Sequence, residues 1–369
     1  MKIGLAIISF AVLGGKQRDC LELARYLRAR GHEVEIVTAV RGTVQPTDVT
    51  VHALPLPLAW TNHGIAMAFA RAMARLATRR GYDAVVAFDK LPGSDYYYAS
   101  DVCFTARSHG LRSWLPRHRV LCGLERALFA PPSATHVFFL TERQRADYAA
   151  CHGEAPGGAT VLPVIRHHDR GDTPDFYATR ALVRRELDLP PEAPVAVNIA
   201  TKPHQKGADR LLATLAAVPE LFAVIAGSDD PAILSAATAL GVEARVRTLP
   251  YVLDIPRLFG ACDLMVHPAR VEAGGIVILE ALAAGVPVIA TALCGYAPEI
   301  ARANAGRVQP EPFAQAALDD AVRNVLAAGE GYKAAARAAA SDLKERPSWL
   351  AVIADTIEHG PYRPRMRAL

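Results

Sequence analysis

The chain has 369 residues, of which 51% are apolar and 21% charged, so it is a globular protein with room for two domains and not a disordered one. No apolar run reaches the roughly 20 residues of a membrane span, and no signal-peptide pattern is expected. Residues 1–165 hold 19 Lys and Arg against 13 Asp and Glu, a net charge of +6, whereas residues 166–369 hold 22 against 24, a net charge of −2. This asymmetry predicts that the first half faces an anionic surface or partner. The alternative is a random imbalance of surface charge without function.

Six cysteines are spread along the chain without a Cys-x-x-Cys pair or a metal-like spacing. They are Cys20, Cys103, Cys122, Cys151, Cys262 and Cys294. In a chain of this length the pattern predicts reduced thiols of a cytosolic protein.

Short apolar strands alternate with segments of helical period in the first half. We predict strands at Lys2–Phe10, Glu33–Ala39, Val49–Leu54, Ala84–Phe88 and Thr135–Leu140. We predict helices at Gln17–Arg30, Gly64–Arg80 and Glu142–His152. This alternation predicts a parallel, doubly wound sheet.

A polar, irregular stretch at residues 162–174 separates this half from a second α/β run, with predicted strands at Val195–Ile199, Phe222–Ala226 and Arg245–Leu249. We therefore expect an α/β protein of two doubly wound parallel-sheet domains that face a cleft. The predicted boundaries are residues 1–165 and 166–347, and a C-terminal helix at about 348–369 packs back on the first domain. The tail with Arg363, Arg365 and Arg367 is expected to fray.

Two carboxylates separated by seven residues, Glu272 and Glu280, lie between two apolar runs that are typical of buried strands. The strand–loop–helix–strand order puts both at the carboxyl end of a parallel sheet, where open α/β sheets bind ligands. A helix that begins at Gly275 offers N–H groups and a positive dipole end to a diphosphate. Carboxylates only accept hydrogen bonds, so beside such a site they suit sugar or ribose hydroxyls. The pattern predicts a nucleotide-sugar pocket.

Lys206 lies in the loop Thr201–Gly207, between the first strand of the second half and the helix that follows. This loop and the Glu272 loop are expected at the same sheet edge, so Lys206 is predicted to supply positive charge to the diphosphate. A solvated loop lysine is the alternative.

The loops of the first half carry further candidates. Gly14 and Gly15 let the backbone approach a ligand closely, and Asp19 follows in the first turns of a helix. Asp101 comes after three tyrosines, and His63 precedes a helix. The alternatives are a tight turn with a carboxylate near a helix N-terminus, packed tyrosines, and an ordinary helix cap.

Five arginines and a single acid fall between residues 107 and 126, interleaved with Trp114 and several leucines. The arginines are Arg107, Arg112, Arg117, Arg119 and Arg126. This basic and aromatic pattern predicts a peripheral contact with an anionic membrane face. A solvated helix face with a buried Trp114 is the alternative.

These loops, in this order, resemble the retaining glycosyltransferases of the GT-B fold that carry two glutamates seven residues apart. The resemblance runs from Met1 to about Leu343, and Thr61–Gly64, Lys90–Gly93 and Ala99–Cys103 narrow it to the lipopolysaccharide core α-1,3-glucosyltransferases. It implies transfer of a hexose, glucose from UDP-glucose, onto the heptose of a lipopolysaccharide inner core with retention. It also implies a cytoplasmic enzyme, peripheral on the inner face of the cytoplasmic membrane.

The resemblance implies a role for each matching residue. The catalytic group would be Glu272, Lys206 and Asp101. The donor-binding residues would be Gly14, Gly15, Asp19, His63, Lys202, Gln205, Gly274, Gly275, Ile276 and Glu280. The membrane-contact residues would be Arg107, Arg112, Trp114, Arg117 and Arg119. Among the donor-binding residues, Glu280 would bind the ribose diol.

The expected partners are a nucleotide sugar, a lipopolysaccharide core acceptor and an anionic inner-membrane surface, with no nucleic acid. The sequence contains no Asp-x-Asp motif, so neither a metal nor another cofactor is expected, and Lys206 with the helix N-terminus would meet the charge of the leaving diphosphate.

One position departs from the family pattern. The family usually shows Arg-Lys before the glycine, and this chain has Gln205-Lys206. Losing that cation could cost about 3 kcal/mol of transition-state stabilisation unless Lys202 or His204 compensates. The open alternatives are a nucleotide-sugar transferase for another glycolipid or polysaccharide, an epimerase, a phosphorylase, or a catalytically weak nucleotide-sugar binder.

Overall fold

The computed structural model of the protein describes residues 1–11, 14–42, 46–56, 61–108, 110–165, 176–250, 252 and 254–360. The chain divides into two compact units, Met1–Pro163 with Pro347–Leu369, and Val164–Arg346. These divisions fall two residues and one residue before the boundaries placed from the sequence. Most of the predicted linker at 162–174, and the arginines of the tail, lie outside the described residues.

The first unit is built on a sheet of seven parallel strands in the order β3-β2-β1-β4-β5-β6-β7. Its strands are β1 (Lys2–Phe10), β2 (Glu33–Arg41), β3 (Thr50–Ala53), β4 (Ala84–Ala87), β5 (Tyr96–Ala99), β6 (His136–Phe139) and β7 (Ala159–Val161). Its helices are α1 (Gly15–Ala29), α2 (Asn62–Arg80), α3 (Pro116–Phe129), α4 (Glu142–His152) and α13 (Trp349–His359).

Three elements of this unit have no bounds among the sequence-based predictions. Strand β5 begins with three tyrosines, and all four of its residues are buried between β4 and β6, so the alternative of packed tyrosines is correct. Strand β7 has only three residues. Helix α3 begins at Pro116, a residue suited to the first helical turn, so the alternative of a helix in the arginine-rich stretch is correct, although the arginines mask its bounds.

The second unit is a sheet of six parallel strands in the order β10-β9-β8-β11-β12-β13. Its strands are β8 (Val195–Ile199), β9 (Phe222–Ala226), β10 (Val246–Leu249), β11 (Leu264–His267), β12 (Val288–Thr291) and β13 (Gly306–Gln309). Its helices are α5 (Phe176–Glu186), α6 (Ala208–Ala217), α7 (Pro231–Ala239), α8 (Ile255–Ala261), α9 (Ile276–Ala283), α10 (Ala297–Ala303), α11 (Gln315–Ala328) and α12 (Glu330–Glu345).

The strand order reverses direction once in each unit, between β1 and β4 and between β8 and β11. Such a switch point leaves a crevice at the carboxyl ends of the two adjacent strands, where doubly wound sheets bind ligands. In the second unit the loops that leave this point are those of Lys206 and Glu272. Two parallel-sheet units with helices confirm the predicted α/β class.

Apolar side chains cover both faces of the second sheet. One cluster includes Phe259, Ile278 and Leu282, and another includes Leu211, Leu215 and Val322. Helix α13 belongs to the first unit, where Trp349 packs against Tyr98 with ring centroids 5.9 Å apart. Within the described residues, no helix combines the length and the apolar character that crossing a bilayer requires.

Candidate nucleotide-sugar site

The loop after β8 and the loop after β11 touch through a glycine. Gly207 has a φ of +78°, and a Cβ added there would lie 2.2 Å from the carbonyl oxygen of Pro268. Only glycine tolerates both this backbone conformation and this approach. Gly207 therefore lets the preceding residue, Lys206, lie against the loop that carries Glu272.

Arg270 ties the same two loops together. Its backbone N–H donates to the carbonyl oxygen of Gln205 at 2.9 Å, and its guanidinium donates to the carbonyl oxygen of His204 at 2.7 Å. Both terminal nitrogens also reach the carboxylate of Asp209 at 2.7 Å. A bidentate pair of this kind fixes orientation as well as charge, so the two loops form one structural unit.

Glu272 lies at the centre of this unit. Its Oε2 atom is 2.5 Å from the ammonium nitrogen of Lys206 and 3.0 Å from Nε2 of His267, the last residue of β11. The side chain of Glu272 is 13% exposed and that of Lys206 is 19% exposed, whereas His267 is buried. The structure thus brings together two of the residues that the sequence singled out.

The protonation state of Glu272 follows from these contacts. Burial opposes its charge, yet the hydrogen bond from His267 and the charge of Lys206 outweigh burial and lower the pKa of Glu272 to about 2. The carboxylate therefore stays ionised at neutral pH and can only accept hydrogen bonds. Such a group is suited to hydroxyl donors, as the sequence predicted for it.

A left-handed glycine connects Glu272 to the next helix. Gly275 has a φ of +86°, and a Cβ added there would lie 3.2 Å from Cγ of Glu272. Gly274, Gly275 and Ile276 lead into α9, and the first N–H groups of a helix have no acceptor within it. Glu280 lies about one turn further along α9 and is half-buried. The second unit thus offers a carboxylate, an ammonium group and a helix N-terminus at one sheet edge.

The first unit has a charged group of its own at its switch point. Lys16, on α1, lies 2.6 Å from Asp89 after β4 and 3.5 Å from Asp101 after β5. The backbone N–H of Ile8 donates to Asp89 at 2.7 Å, which holds that carboxylate in place. The side chain of Asp101 is 59% exposed, whereas Asp19 is buried and accepts a hydrogen bond from Tyr98 at 2.9 Å.

The remaining donor-site candidates are loop residues. Gly14 precedes α1 and Gly15 begins it. Thr61 caps α2 by accepting from the N–H of Gly64 at 3.1 Å, so the capping interpretation of this loop is correct, and His63 lies 3.3 Å from the same hydroxyl. In the loop after β8, the side chain of Lys202 is exposed and that of Gln205 is half-buried.

The arginine-rich stretch is exposed. Trp114 is 78% exposed and Leu111 is 90% exposed, so the alternative of a buried Trp114 is wrong. Arg107, Arg117 and Arg119 are exposed as well, and the side chain of Arg112 lies outside the described residues.

Several residues of these groups were not singled out from the sequence. His267 and Arg270 flank the Glu272 loop, and the His-Pro pair directly after a buried strand was a signal that could have identified the first. Lys16 and Asp89 follow the two strands of the first switch point, and that placement could have identified them once the strand order was known.

Comparison with known proteins agrees with this geometry. Residues 179–362 match the model of the family "Glycosyl transferases group 1", and residues 13–170 match that of "Glycosyltransferase Family 4". The chain is similar to the lipopolysaccharide glucosyltransferase WaaG of Escherichia coli K12, with 33% identity over 88% of this chain and 90% of that protein.

Solved structures show the same likeness. A crystal structure of WaaG, described as a glycosyltransferase involved in lipopolysaccharide biosynthesis, has a TM-score of 0.89 and 30% identity over 97% of this chain and all of that one. Anabaena HepE in complex with UDP and glucose has a TM-score of 0.78 over 97% of this chain and 99% of its own, and its 19% identity indicates a shared fold. The predicted family is thereby confirmed: the chain belongs to the group 1 glycosyltransferases and has the GT-B fold.

Proposed function

We propose that this glycosyltransferase moves a hexose, glucose from UDP-glucose, onto the heptose of a lipopolysaccharide inner core, with retention at the anomeric carbon. The single observation that carries the proposal is the ionised Glu272 held by Lys206 and His267 at the switch point of the second sheet. The likeness to WaaG, named as a lipopolysaccharide glucosyltransferase, supports the choice of substrate class.

In this proposal the donor binds along the second unit. The ammonium group of Lys206 and the N–H groups at Gly274, Gly275 and Ile276 meet the diphosphate, because both are complementary to phosphate oxygens. Glu272 accepts from hydroxyls of the donor sugar, and Glu280 accepts from the ribose diol. The remaining donor contacts are assigned to Lys202 and Gln205, and to Gly14, Gly15, Asp19 and His63 of the first unit.

The transfer step needs no protein nucleophile. The bond between the anomeric carbon and the phosphate oxygen breaks, and the acceptor oxygen attacks from the same face, so configuration is retained. The departing phosphate takes the proton of the acceptor hydroxyl and leaves as UDP. Lys206 and the N-terminus of α9 stabilise the developing negative charge, so we propose that the step is metal-independent. Asp101, more than half exposed beside Lys16, is assigned to the acceptor side.

The exposed stretch around Trp114 supports a membrane-facing role for the first unit. Leu111, Trp114 and Leu115 expose apolar surface next to the exposed guanidinium groups of Arg117 and Arg119. Such a surface suits anionic lipid headgroups, and we propose a cytoplasmic enzyme that binds the inner face of the cytoplasmic membrane peripherally. Sedimentation with anionic vesicles should weaken as ionic strength rises, and binding that does not depend on salt would contradict the assignment.

A Glu272→Ala variant tests the proposed function. With UDP-glucose and deep-rough lipopolysaccharide, we expect this variant to release no UDP above background, because the carboxylate that positions the donor is gone. The exposed Glu243 in the same unit provides the matched control, Glu243→Ala, which should transfer like the wild type. Wild-type transfer by Glu272→Ala would refute the site, and the linkage of the wild-type product reports the stereochemistry.

The Gln205 position keeps a second function open, that of a catalytically weak nucleotide-sugar binder. The carbonyl oxygen of Gln205 is held by Arg270, but its side chain is an amide where the family has a cation. Tight UDP binding without turnover on any acceptor would support this alternative. A screen of UDP-glucose, UDP-galactose and UDP-N-acetylglucosamine, with lipopolysaccharide and other glycolipid acceptors, separates it from a transferase of different specificity.

A further inference from the structure

Three side chains with metal-binding atoms meet in the first unit, apart from the residues assigned to the transfer reaction. Cys103 follows β5, Glu125 lies on α3 and His152 is the last residue of α4. The Sγ atom of Cys103 is 3.5 Å from Oε2 of Glu125 and 4.0 Å from Nε2 of His152. Nε2 of His152 is 3.2 Å from the same carboxylate oxygen. The three atoms therefore form a small triangle around one point.

The cluster is rigid and removed from solvent. Cys103 is 2% exposed, and the side chains of Glu125 and His152 are 0% and 4% exposed. The imidazole of His152 stacks on Phe129 with ring centroids 5.3 Å apart and an interplanar angle of 18°, which fixes the direction of Nε2. Preorganised ligands lose little conformational entropy when they bind an ion.

Glu125 is oriented by groups outside the triangle. Its Oε1 atom accepts from the N–H of Phe104 at 2.9 Å, and its Oε2 atom accepts from the N–H of Thr105 at 2.7 Å. The Cys103 thiol and the His152 ring also point at Oε2, although an oxygen has only two lone-pair directions and Thr105 takes one. One backbone N–H and two side chains thus converge on one carboxylate oxygen, and a single cation can bind that oxygen together with the two side chains.

We propose that Cys103, Glu125 and His152 bind a zinc ion. In a tetrahedral zinc site with bond lengths of about 2.0–2.3 Å, neighbouring ligand atoms lie about 3.3–3.6 Å apart. The three separations observed here approach those values without movement of the backbone. The mixture of sulfur, nitrogen and oxygen donors favours zinc over magnesium or calcium, which prefer oxygen alone. On binding, the zinc ion takes the place of the Cys103 thiol proton, which leaves to solvent, and the ring proton of neutral His152 lies on Nδ1 so that Nε2 offers its lone pair to the metal.

A second sulfur lies next to this triangle. Cys151 directly precedes His152 at the end of α4, but it is exposed and does not belong to the buried cluster. Lys90 brings one positive charge to the cluster, 3.3 Å from Glu125. The formal charges of zinc, the Cys103 thiolate and the Glu125 carboxylate cancel, and Lys90 leaves the site with a net charge of +1.

The location gives the ion a structural role. Cys103 and Glu125 lie at the two ends of the segment that contains the exposed Trp114 and its neighbouring arginines. An ion bound to Cys103, Glu125 and His152 would link both ends of this segment to α4 and so hold the segment in place. The site takes no part in the proposed transfer step, so its test does not depend on the proposed function.

Metal analysis of the untagged full-length protein, purified without chelator, tests the proposal. We expect one zinc ion per chain. After removal of zinc, titration with Co²⁺ should produce the intense sulfur-to-cobalt absorption of a thiolate ligand. Cys103→Ser should abolish that absorption, and His152→Asn should weaken cobalt binding while its helical circular dichroism stays that of the wild type.

A cysteine outside the cluster provides the control. Cys122 lies on the same helix as Glu125 but belongs to no metal-binding group of the described residues, so Cys122→Ser should bind zinc and cobalt like the wild type. Wild-type protein that retains no zinc and gives no thiolate absorption with Co²⁺ would overturn the proposal. An unchanged cobalt spectrum in Cys103→Ser would overturn it equally.

Discussion

Two glutamates, one in each unit, share the same kinds of partner. Glu272 contacts Lys206 at 2.5 Å and His267 at 3.0 Å. Glu125 contacts Lys90 at 3.3 Å and His152 at 3.2 Å. Each carboxylate is thus paired with one lysine and one histidine.

The two differ in what else holds them. Glu125 has no exposed side-chain surface and accepts hydrogen bonds from two backbone N–H groups. Its carboxylate cannot rotate to another partner without leaving the N–H groups of Phe104 and Thr105 without their acceptor. The side chain of Glu272 is 13% exposed, and the donors that contact it, Lys206 and His267, are side chains. Side-chain donors can exchange one partner for another, so this arrangement suits a ligand site and the backbone-held arrangement suits a fixed part of the fold.

The largest expected effect that separates the two glutamates is on stability. Glu125→Ala should lower the free energy of unfolding by about 3–5 kcal/mol, because Lys90, whose side chain is 12% exposed, loses its carboxylate partner and two N–H groups lose their acceptor. Urea denaturation with chelator present measures this loss without a metal contribution. Glu154→Ala, which removes an exposed carboxylate from the same unit, should change little. Equal stabilities of Glu125→Ala and Glu154→Ala would show that Glu125 is not a fixed part of the fold.

Lys206→Ala should act mainly on catalysis. We expect the rate of glucosyl transfer to fall about 10²–10³-fold, since the cation that we propose to stabilise the leaving diphosphate is lost. The unfolding midpoint should fall much less than in Glu125→Ala, because His267 still contacts Glu272. Lys344→Ala, an exposed lysine of the same unit, is the control for both measurements. A variant that loses stability but not transfer would reverse the roles assigned to the two clusters.

A pair of glycine substitutions isolates the effect of the Glu272 loop. Gly275 and Gly241 both have positive φ, +86° and +65°, so alanine at either should cost about 1–2 kcal/mol of stability. An added Cβ at Gly275 lies 3.2 Å from Glu272, whereas nothing lies within 4 Å of one at Gly241. Isothermal titration with UDP-glucose should therefore show weaker binding only in Gly275→Ala. Equal affinities in both variants would separate Gly275 from the donor site.

The smallest expected effect is on the pH dependence of stability. The pKa of Glu272 is about 2, below its ordinary value of 4.5, so its contribution is present above pH 4.5 and is lost as the pH falls toward 2. The free energies of unfolding of the wild type and Glu272→Gln should thus differ at pH 6 and converge in acid. A difference that grows in acid would show that the carboxylate does not gain from its two partners.

The second unit could be predicted well because its strands are short buried runs bounded by Gly, Pro or Asp, as at Val195–Ile199 and Phe222–Ala226. Lys206 and Glu272 could be paired because each follows a strand, and these two strands are expected to be neighbours in a doubly wound sheet. Strand β5 could not be predicted, because its sequence of three tyrosines and an alanine lacks the alternation of apolar and polar residues that marks a strand.

The cluster of Cys103, Glu125 and His152 could not be predicted at all. Its members lie 22 and 27 residues apart in the chain, and no short spacing marks them as ligands. They meet because side chains of β5, α3 and α4 pack in one apolar cluster, and the bounds of α3 could not be predicted. Contacts of this kind depend on tertiary packing, which a local sequence pattern does not encode.

Helix α13 belongs to the first unit although it is made after the whole second unit. Trp349 of α13 packs on Tyr98, whose hydroxyl donates a hydrogen bond to Asp19. Asp355 of α13 forms an ion pair with Arg30, the residue that follows α1. Domains usually fold in the order in which the ribosome delivers them. Here the first unit is completed only when α13 has been synthesised. A nascent chain stalled near residue 346 would therefore contain the whole second unit but a first unit that lacks α13.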